Sequence, residues 1–232
     1  MKENLSQKFN ENWQKNHAQF GQITWEQEAD FCYFIESPLP LETAQALCDL
    51  AHKFKEDFAL EGGSWLSPEE MHLTLTLPGR LGTHFQKNDL SFMKKTLDDI
   101  TSQTPGFALE LQNFNVFPTT LWAEVYDPTG RLQQLHETLC NEIPFSQHPE
   151  FRYTNYLPHI SVAYGVQNPK PLGKEINRNF EPLTFSLESL TLGRAKWQGS
   201  ELTKAKSAEY HLKKAWKNYL LNLDAQKITA HR

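Results

Sequence analysis

Apolar residues along this chain change their spacing several times, and each spacing predicts a different element. Leu5, Phe9, Trp13 and Phe20 recur at helical steps within polar sequence, which predicts an amphipathic helix over residues 1–29 laid on the body as an accessory. The run FCYFIES, 31–37, is apolar and aromatic and is stopped by Pro38 and Pro40, as suits a buried strand followed by a loop. Ala44, Leu47, Cys48, Ala51, Phe54 and Phe58 then form a helical stripe, and Leu90, Met93, Leu97 and Ile100 form a second. Between the two helices, SPEE at 67–70 has Ser67 at an N-cap, Pro68 at the first helical position and Glu70 where a capping box closes. A short turn there aims the chain into MHLTLTLPG, 71–79. GFALELQNFNVFP, 106–118, reads as an extended arm.

The order then repeats. TLWAEVYD, 120–127, is a strand; Leu132, Leu135, Leu139, Cys140 and Ile143 stripe a helix; LPHISVAYG, 157–165, is a second strand carrying a histidine. LTFSLESLTLGRA, 183–195, alternates apolar and polar as one more strand. Strand, helix, histidine strand and extended segment thus occur twice. This predicts an α+β body over 30–200, in halves of about 30–118 and 119–200 related by a pseudo-twofold, with the termini free to cross between them. Ala208, Leu212, Ala215, Trp216, Tyr219 and Leu223 step at helical spacing and predict an amphipathic helix over 201–232 packed back onto the body.

Side chains two apart share a strand face. His72, Thr74 and Thr76 therefore point one way and Leu73, Leu75 and Leu77 the other; His159, Ser161 and Ala163 likewise oppose Ile160, Val162 and Tyr164. Each strand offers one apolar face to a core and one face carrying an imidazole and a hydroxyl. The three-letter pattern alone is cheap, since His136-Glu137-Thr138 also matches it. That match lies inside a helical stripe, where positions two apart do not face each other, so His136 reads as a core histidine.

Composition narrows the chemistry. The 232 residues carry 23 basic and 28 acidic side chains, a formal charge of −5, which gives no footprint for long duplex nucleic acid but leaves room for a small or single-stranded phosphate ligand. Cys32, Cys48 and Cys140 have no paired spacing, which argues against a disulfide or zinc framework and for a reducing, cytosolic setting. No stretch approaches the roughly 20 apolar residues of a membrane span, so neither a membrane nor a membrane partner is expected. The nine histidines contain no His-Glu-any-any-His, and no Gly-flanked serine nucleophile is present, which disfavours a metallohydrolase and a serine hydrolase.

WLSPEEMHLTLTLPG and YLPHISVAYG together resemble the paired signature of the two-histidine phosphoesterase superfamily, which includes bacterial RNA 2′,5′-ligase and 2′,3′-cyclic phosphodiesterase proteins. The resemblance runs over about 30–195, through TLWAEV and FSLESLTLGRA. It implies a bilobal α+β fold, two antiparallel sheets lining a central groove with helices outside, and a monomer acting on a small nucleotide or RNA end. His72, Thr74, His159 and Ser161 carry over as the catalytic set. The resemblance further implies His159 as the base that activates water and His72 as the acid, exchanged in the ligating direction, with no metal or other cofactor required. Tyr33, Trp65 and Tyr164 are aromatics placed to stack a base, with packing as the competing reading. Thr76 shares the His72 face, and Arg80 and Arg194 are cations for a terminal phosphate. Two departures stand out: Tyr164 occupies the place of an arginine found in many ligase-like members, and Pro78 replaces a bulkier apolar residue. A 2′-5′-linked or cyclic oligonucleotide substrate, and a nucleotide-binding module without turnover, are the alternative readings.

Overall fold

The computed structural model describes residues 5–22, 28–143, 156–168, 172, 174–198 and 201–213. The helices are α1 (Leu5–Asn16), α2 (Leu41–Asp57), α3 (Lys87–Gln103) and α4 (Arg131–Glu142). The strands are β1 (Glu28–Pro38), β2 (Glu61–Trp65), β3 (His72–Gly79), β4 (Phe107–Phe117), β5 (Thr120–Tyr126), β6 (His159–Gln167), β7 (Leu183–Leu187), β8 (Ser189–Gln198) and β9 (Glu201–His211). No described helix is long and apolar enough to cross a membrane.

The sequence stripes form the helices expected of them. The Ala44, Leu47, Cys48, Ala51 and Phe54 face of α2 is buried, as are Met93, Leu97 and Ile100 of α3 and Leu132, Leu135 and Leu139 of α4. Asp127 starts α4: its carboxylate accepts from Thr129 N–H at 2.8 Å and Leu132 N–H at 2.6 Å, while Gly130 takes the positive φ of 75° that the turn demands. These three helices pack on the sheet face that carries Leu73, Leu75, Ile160 and Val162, all nearly inaccessible.

Where two sheets were expected, hydrogen bonding runs through one antiparallel sheet in the order β7-β4-β5-β6-β3-β1-β8-β9, with β2 paired to β6. The two histidine strands, β3 and β6, pair at Leu73↔Ile160, and β2 pairs with the other end of β6. The 183–195 segment is two strands instead of one. It breaks at Glu188, so that β7 pairs with β4 while β8 pairs with β1 and β9. One residue thus bridges strands far apart in sheet order, and the sheet must curl into a half-barrel for this to happen. The contact is sealed where Leu212 N–H donates to Glu188 O at 2.8 Å and Gly106 N–H to Lys213 O at 3.1 Å. A boundary near residue 118 therefore divides the sequence but not the space, since β4 belongs with β5 and β8 with β1.

Residues 201–211, expected to open a C-terminal helix, form strand β9. Alternation fits this segment as well as helical stepping does, and the unpaired edge of β8 supplies a ladder of partners that an isolated helix lacks. The remainder of that expected helix, including Ala215, Trp216, Tyr219 and Leu223, lies outside the described residues. At the other end, α1 spans Leu5–Asn16, shorter than the 1–29 expected, since residues 17–22 are turn and β1 begins at Glu28; it packs on the sheet face away from α2, α3 and α4. Phe9 meets Trp122 and Tyr126 at ring distances of 5.9 and 5.2 Å, and Asn12 Nδ2 donates to Asn115 Oδ1 at 3.0 Å and Val116 O at 2.8 Å. Phe20, beyond the helix in a turn, is fully buried.

Candidate active site

Both histidines open their strands, and each ring is fixed by the carbonyl two residues earlier. His72 Nδ1 lies 2.6 Å from Glu70 O, and His159 Nδ1 lies 2.8 Å from Leu157 O. A carbonyl only accepts, so in each ring it is Nδ1 that is placed to donate to it. Local sequence explains both carbonyls. In the 3₁₀ turn Pro68–Glu70, Ser67 N–H donates to Glu70 Oε2 at 2.8 Å and Glu70 N–H to Ser67 O at 3.0 Å, which sets the Glu70 peptide. Leu157 precedes Pro158, whose ring holds the residue before it extended.

Leu73 and Ile160, the pair that joins the two histidine strands, are each the residue after a motif histidine. Antiparallel register around this pair sets His72 beside Ser161 and Thr74 beside His159, all on the face away from α2, α3 and α4. With strand spacing near 4.8 Å and a rise near 3.3 Å, the two histidine Cα atoms stand about 8 Å apart across a diagonal. The charge of His159 is felt at His72.

Strict alternation fails on both strands at the same place. Glu36 pairs with Thr74 and Ile35 with Thr76, leaving Leu75 extra; Trp122 pairs with Ser161 and Leu121 with Ala163, leaving Val162 extra. Each strand bulges three residues after its histidine, and a bulge shifts the alternation by one. Thr76, expected beside His72, is instead 1% exposed with its hydroxyl 4.0 Å from Cys140 Sγ of α4, so it does not join the site. The matching shift brings Tyr164, which alternation had put on the far face, to Ser161, with which it shares a hydrogen bond; burial pushes its phenol up to about 12. The β3 bulge is held from the helix side. His136 donates from Nδ1 to Leu75 O at 2.6 Å, Tyr156 hydroxyl donates to Thr74 O at 3.0 Å, and the two rings stack at 3.9 Å. His136 is fully buried, the structural role its helical setting implied.

His72 sits in a charged corner. Its Nε2 is 3.2 Å from Glu36 Oε2, and Lys204 Nζ is 3.1 Å from the same oxygen, 2.8 Å from Nδ1 and 3.2 Å from Nε2. Burial lowers His72 to about 4; Glu36 and the Glu70 carbonyl oppose this, while Lys204 and His159 reinforce it. The imidazole is therefore neutral at physiological pH. Burial also lowers Lys204, against the pull of Glu36. His159 stands in an aromatic wall, 5.4 Å from Phe117 and 5.2 Å from Trp122 between ring centres.

The other expected site residues are dispersed. Tyr33 is buried edge-on against Phe85 at 5.2 Å, because β1 turns Phe34 and Glu36 to the histidine face. Trp65 lies over α2, with its indole N–H on Gly62 O at 3.0 Å and Lys55 Nζ 5.0 Å above its ring. Arg80 follows the far end of β3, where its charge acts on the Cys32 thiol, and Arg194 is exposed on β8 in register with Tyr33. Sequence reasoning missed Phe34, Glu36, Phe117, Trp122 and Lys204. A carboxylate inside the apolar run FCYFIES was a legible signal for Glu36; nothing local marked Lys204. No group of three or more His, Cys, Asp or Glu able to hold a metal ion occurs among the described residues.

Comparison with known proteins places the chain among relatives. A curated RNA 2′,3′-cyclic phosphodiesterase of Thermotoga maritima is 29% identical over 147 residues, 61% of this chain and 73% of that protein. Among solved structures, a Thermus thermophilus protein superposes with a TM-score of 0.59 at 17% identity, over 80% of this chain and all of that one. Escherichia coli LigT complexed with 3′-AMP superposes with a TM-score of 0.57 at 18% identity, over 81% of this chain and all of LigT; these two likenesses show the shared fold. The sequence model of the 2′-5′ RNA ligase superfamily matches residues 44–196, more than half of the chain. Because that span takes in both histidine strands in their expected order, the chain belongs to the 2′-5′ RNA ligase superfamily.

Proposed function

We propose that this protein is a metal-independent phosphodiesterase that opens a 2′,3′-cyclic phosphate on a nucleotide or RNA end by general acid/base catalysis with His72 and His159. The observation that carries the reading is the matched pair of imidazoles: each opens its strand with Nδ1 on the carbonyl two residues earlier, and the two strands pair at the residue that follows each histidine. The printed activity of the Thermotoga relative supports the substrate class. Ring opening needs a water proton removed on one side of phosphorus and a proton delivered to the departing ribose oxygen on the other. A neutral His72 suits the acceptor, and His159, when protonated, suits the donor. These roles run opposite to those the family resemblance implied. Thr74 and Ser161 hydroxyls are set to hydrogen-bond the non-bridging oxygens as charge builds on them. The three scattered free cysteines fit a reducing compartment.

The test is a panel of nucleoside 2′,3′-cyclic monophosphates, 2′-5′-linked dinucleotides and cyclic-phosphate RNA ends, assayed with chelator present and scored for product regiochemistry. The cyclic monophosphates turn over. His72→Ala and His159→Ala each lose roughly 10²- to 10⁴-fold, and Thr74→Ala and Ser161→Ala lose less. The acid limb of kcat/KM lies near 4, well below the ordinary histidine value of 6.5. Full activity in either histidine variant, or nucleotide binding without turnover, overturns the reading.

A further inference from the structure

Lys204 and Glu36 both lie outside the span that matches the family, residues 44–196, so membership assigns neither of them a task. The sheet curl brings them together. Lys204 pairs in register with Ala195 on β8, and its side chain crosses toward β1 with Nζ 5.3 Å from the centre of the Phe34 ring. That path exists because Gly193 has no side chain: a Cβ there would meet the Phe34 ring at 2.4 Å. The tip of the Phe34 ring occupies the space beside the glycine, and Phe34 lines a route from β9 to the ring of His72.

At the end of that route one carboxylate serves two basic groups. Glu36 Oε2 is 3.1 Å from Lys204 Nζ and 3.2 Å from His72 Nε2. Burial disfavours a charged His72; Glu36 opposes this, and the ammonium of Lys204 beside the same carboxylate reinforces it. The ammonium is also 3.2 Å from Nε2, the atom that must approach the reacting water. Any phosphoryl group within working distance of His72 is then within reach of Lys204. Tyr164, five positions after the second motif histidine, is buried and bonded to Ser161 and brings no cation to that strand. An anionic substrate needs a cation at this site, and β9 supplies one beside the first motif instead.

We propose that Lys204 is the cation that takes the non-bridging oxygens of the bound phosphate, and that Glu36 is a positioning residue that holds the ammonium against His72 until the substrate displaces it. The proposal rests on the phosphodiesterase reading above but is tested separately from it. The groups facing His72 are Glu36 from β1, Glu70 from the 3₁₀ turn, His159 from β6 and Lys204 from β9.

Wild type, Lys204→Met, Lys204→Arg, Glu36→Gln and the double variant Lys204→Met/Glu36→Gln are compared, the last removing both charges so that no buried carboxylate is stranded. With cytidine 2′,3′-cyclic monophosphate, Lys204→Met raises KM at least tenfold, and Lys204→Arg recovers part of that loss. Binding of 3′-AMP, followed by calorimetry, falls by the same order in Lys204→Met and in the double variant. The His72 ring resonance titrates upward in Lys204→Met and further downward in Glu36→Gln, opposite shifts that a purely structural pair would not give. Unchanged 3′-AMP affinity in the folded double variant, or shifts of the same sign, overturns the proposal. Should wild type turn over no member of the panel, the phosphodiesterase reading fails, and the 3′-AMP and titration arms still decide for or against Lys204.

Discussion

His72 is the residue whose chemistry the fold alters most. Its value of about 4, against 6.5 for a free histidine, means that the folded protein resists a proton that the unfolded chain accepts. Stability from this source is complete above pH 6.5, declines as pH falls through the interval, and is gone once pH drops below about 4. The full difference is on the order of 3 kcal/mol. Urea titrations at pH 7.5, 5.5 and 4.5 should show wild type losing stability faster than His72→Asn. Parallel losses in the two proteins would mean that His72 is solvated and ordinary. At this same scale, the four motif residues were legible from the sequence, because a histidine followed two positions later by a hydroxyl on a strand fixes a shared face without further information. Tyr33, Trp65 and Thr76 were legible only as residue types; where they point was not.

The two histidine strands owe their useful geometry to a defect. A regular β3 would carry Thr76 on the same face as Thr74; the bulge at Leu75 ends that series and leaves the Thr74 and Leu75 carbonyls for partners outside the ladder. Tyr156 and His136 take them. Tyr156→Phe removes one neutral hydrogen bond and should cost about 1 kcal/mol, whereas His136→Phe also strands a buried carbonyl and should cost about 2–4 kcal/mol. Chemical denaturation measures both, and a larger effect from Tyr156→Phe would show that the phenol is the main clamp. The bulges were invisible to pattern reading because LTLTLP and ISVAYG satisfy period two perfectly well. The splitting of 183–195 at Glu188 was hidden for the same reason, since one alternating run serves as one strand or as two.

For the molecule as a whole, the decisive fact is that hydrogen bonding is continuous from β7 to β9 through the Leu73↔Ile160 pair, with the sheet ends tied at Glu188. Two lobes that share a sheet, a core and a covalent crossover cannot unfold separately. Indole fluorescence, to which buried Trp122 contributes, and far-ultraviolet dichroism should therefore report one coincident urea transition. Two resolved transitions would mean that the halves are independent domains. The same continuity explains why α1 is more than an appendage. It lies on the histidine-bearing side and, through Phe9 on Trp122, closes the flank of the wall that faces His159.

Apolar spacing, caps and proline stops by themselves determined the four described helices, the histidine strands and the four motif residues, because each of these depends on chemistry within a few residues of chain. Tertiary structure alone decided the bulges, the crossover at Glu188, the strand in place of a helix at 201–211 and the Glu36–Lys204 corner around His72. Those features depend on which edge is open, how far the sheet curls and which charges share one buried space, and none of these quantities is carried by neighbouring residues in the sequence.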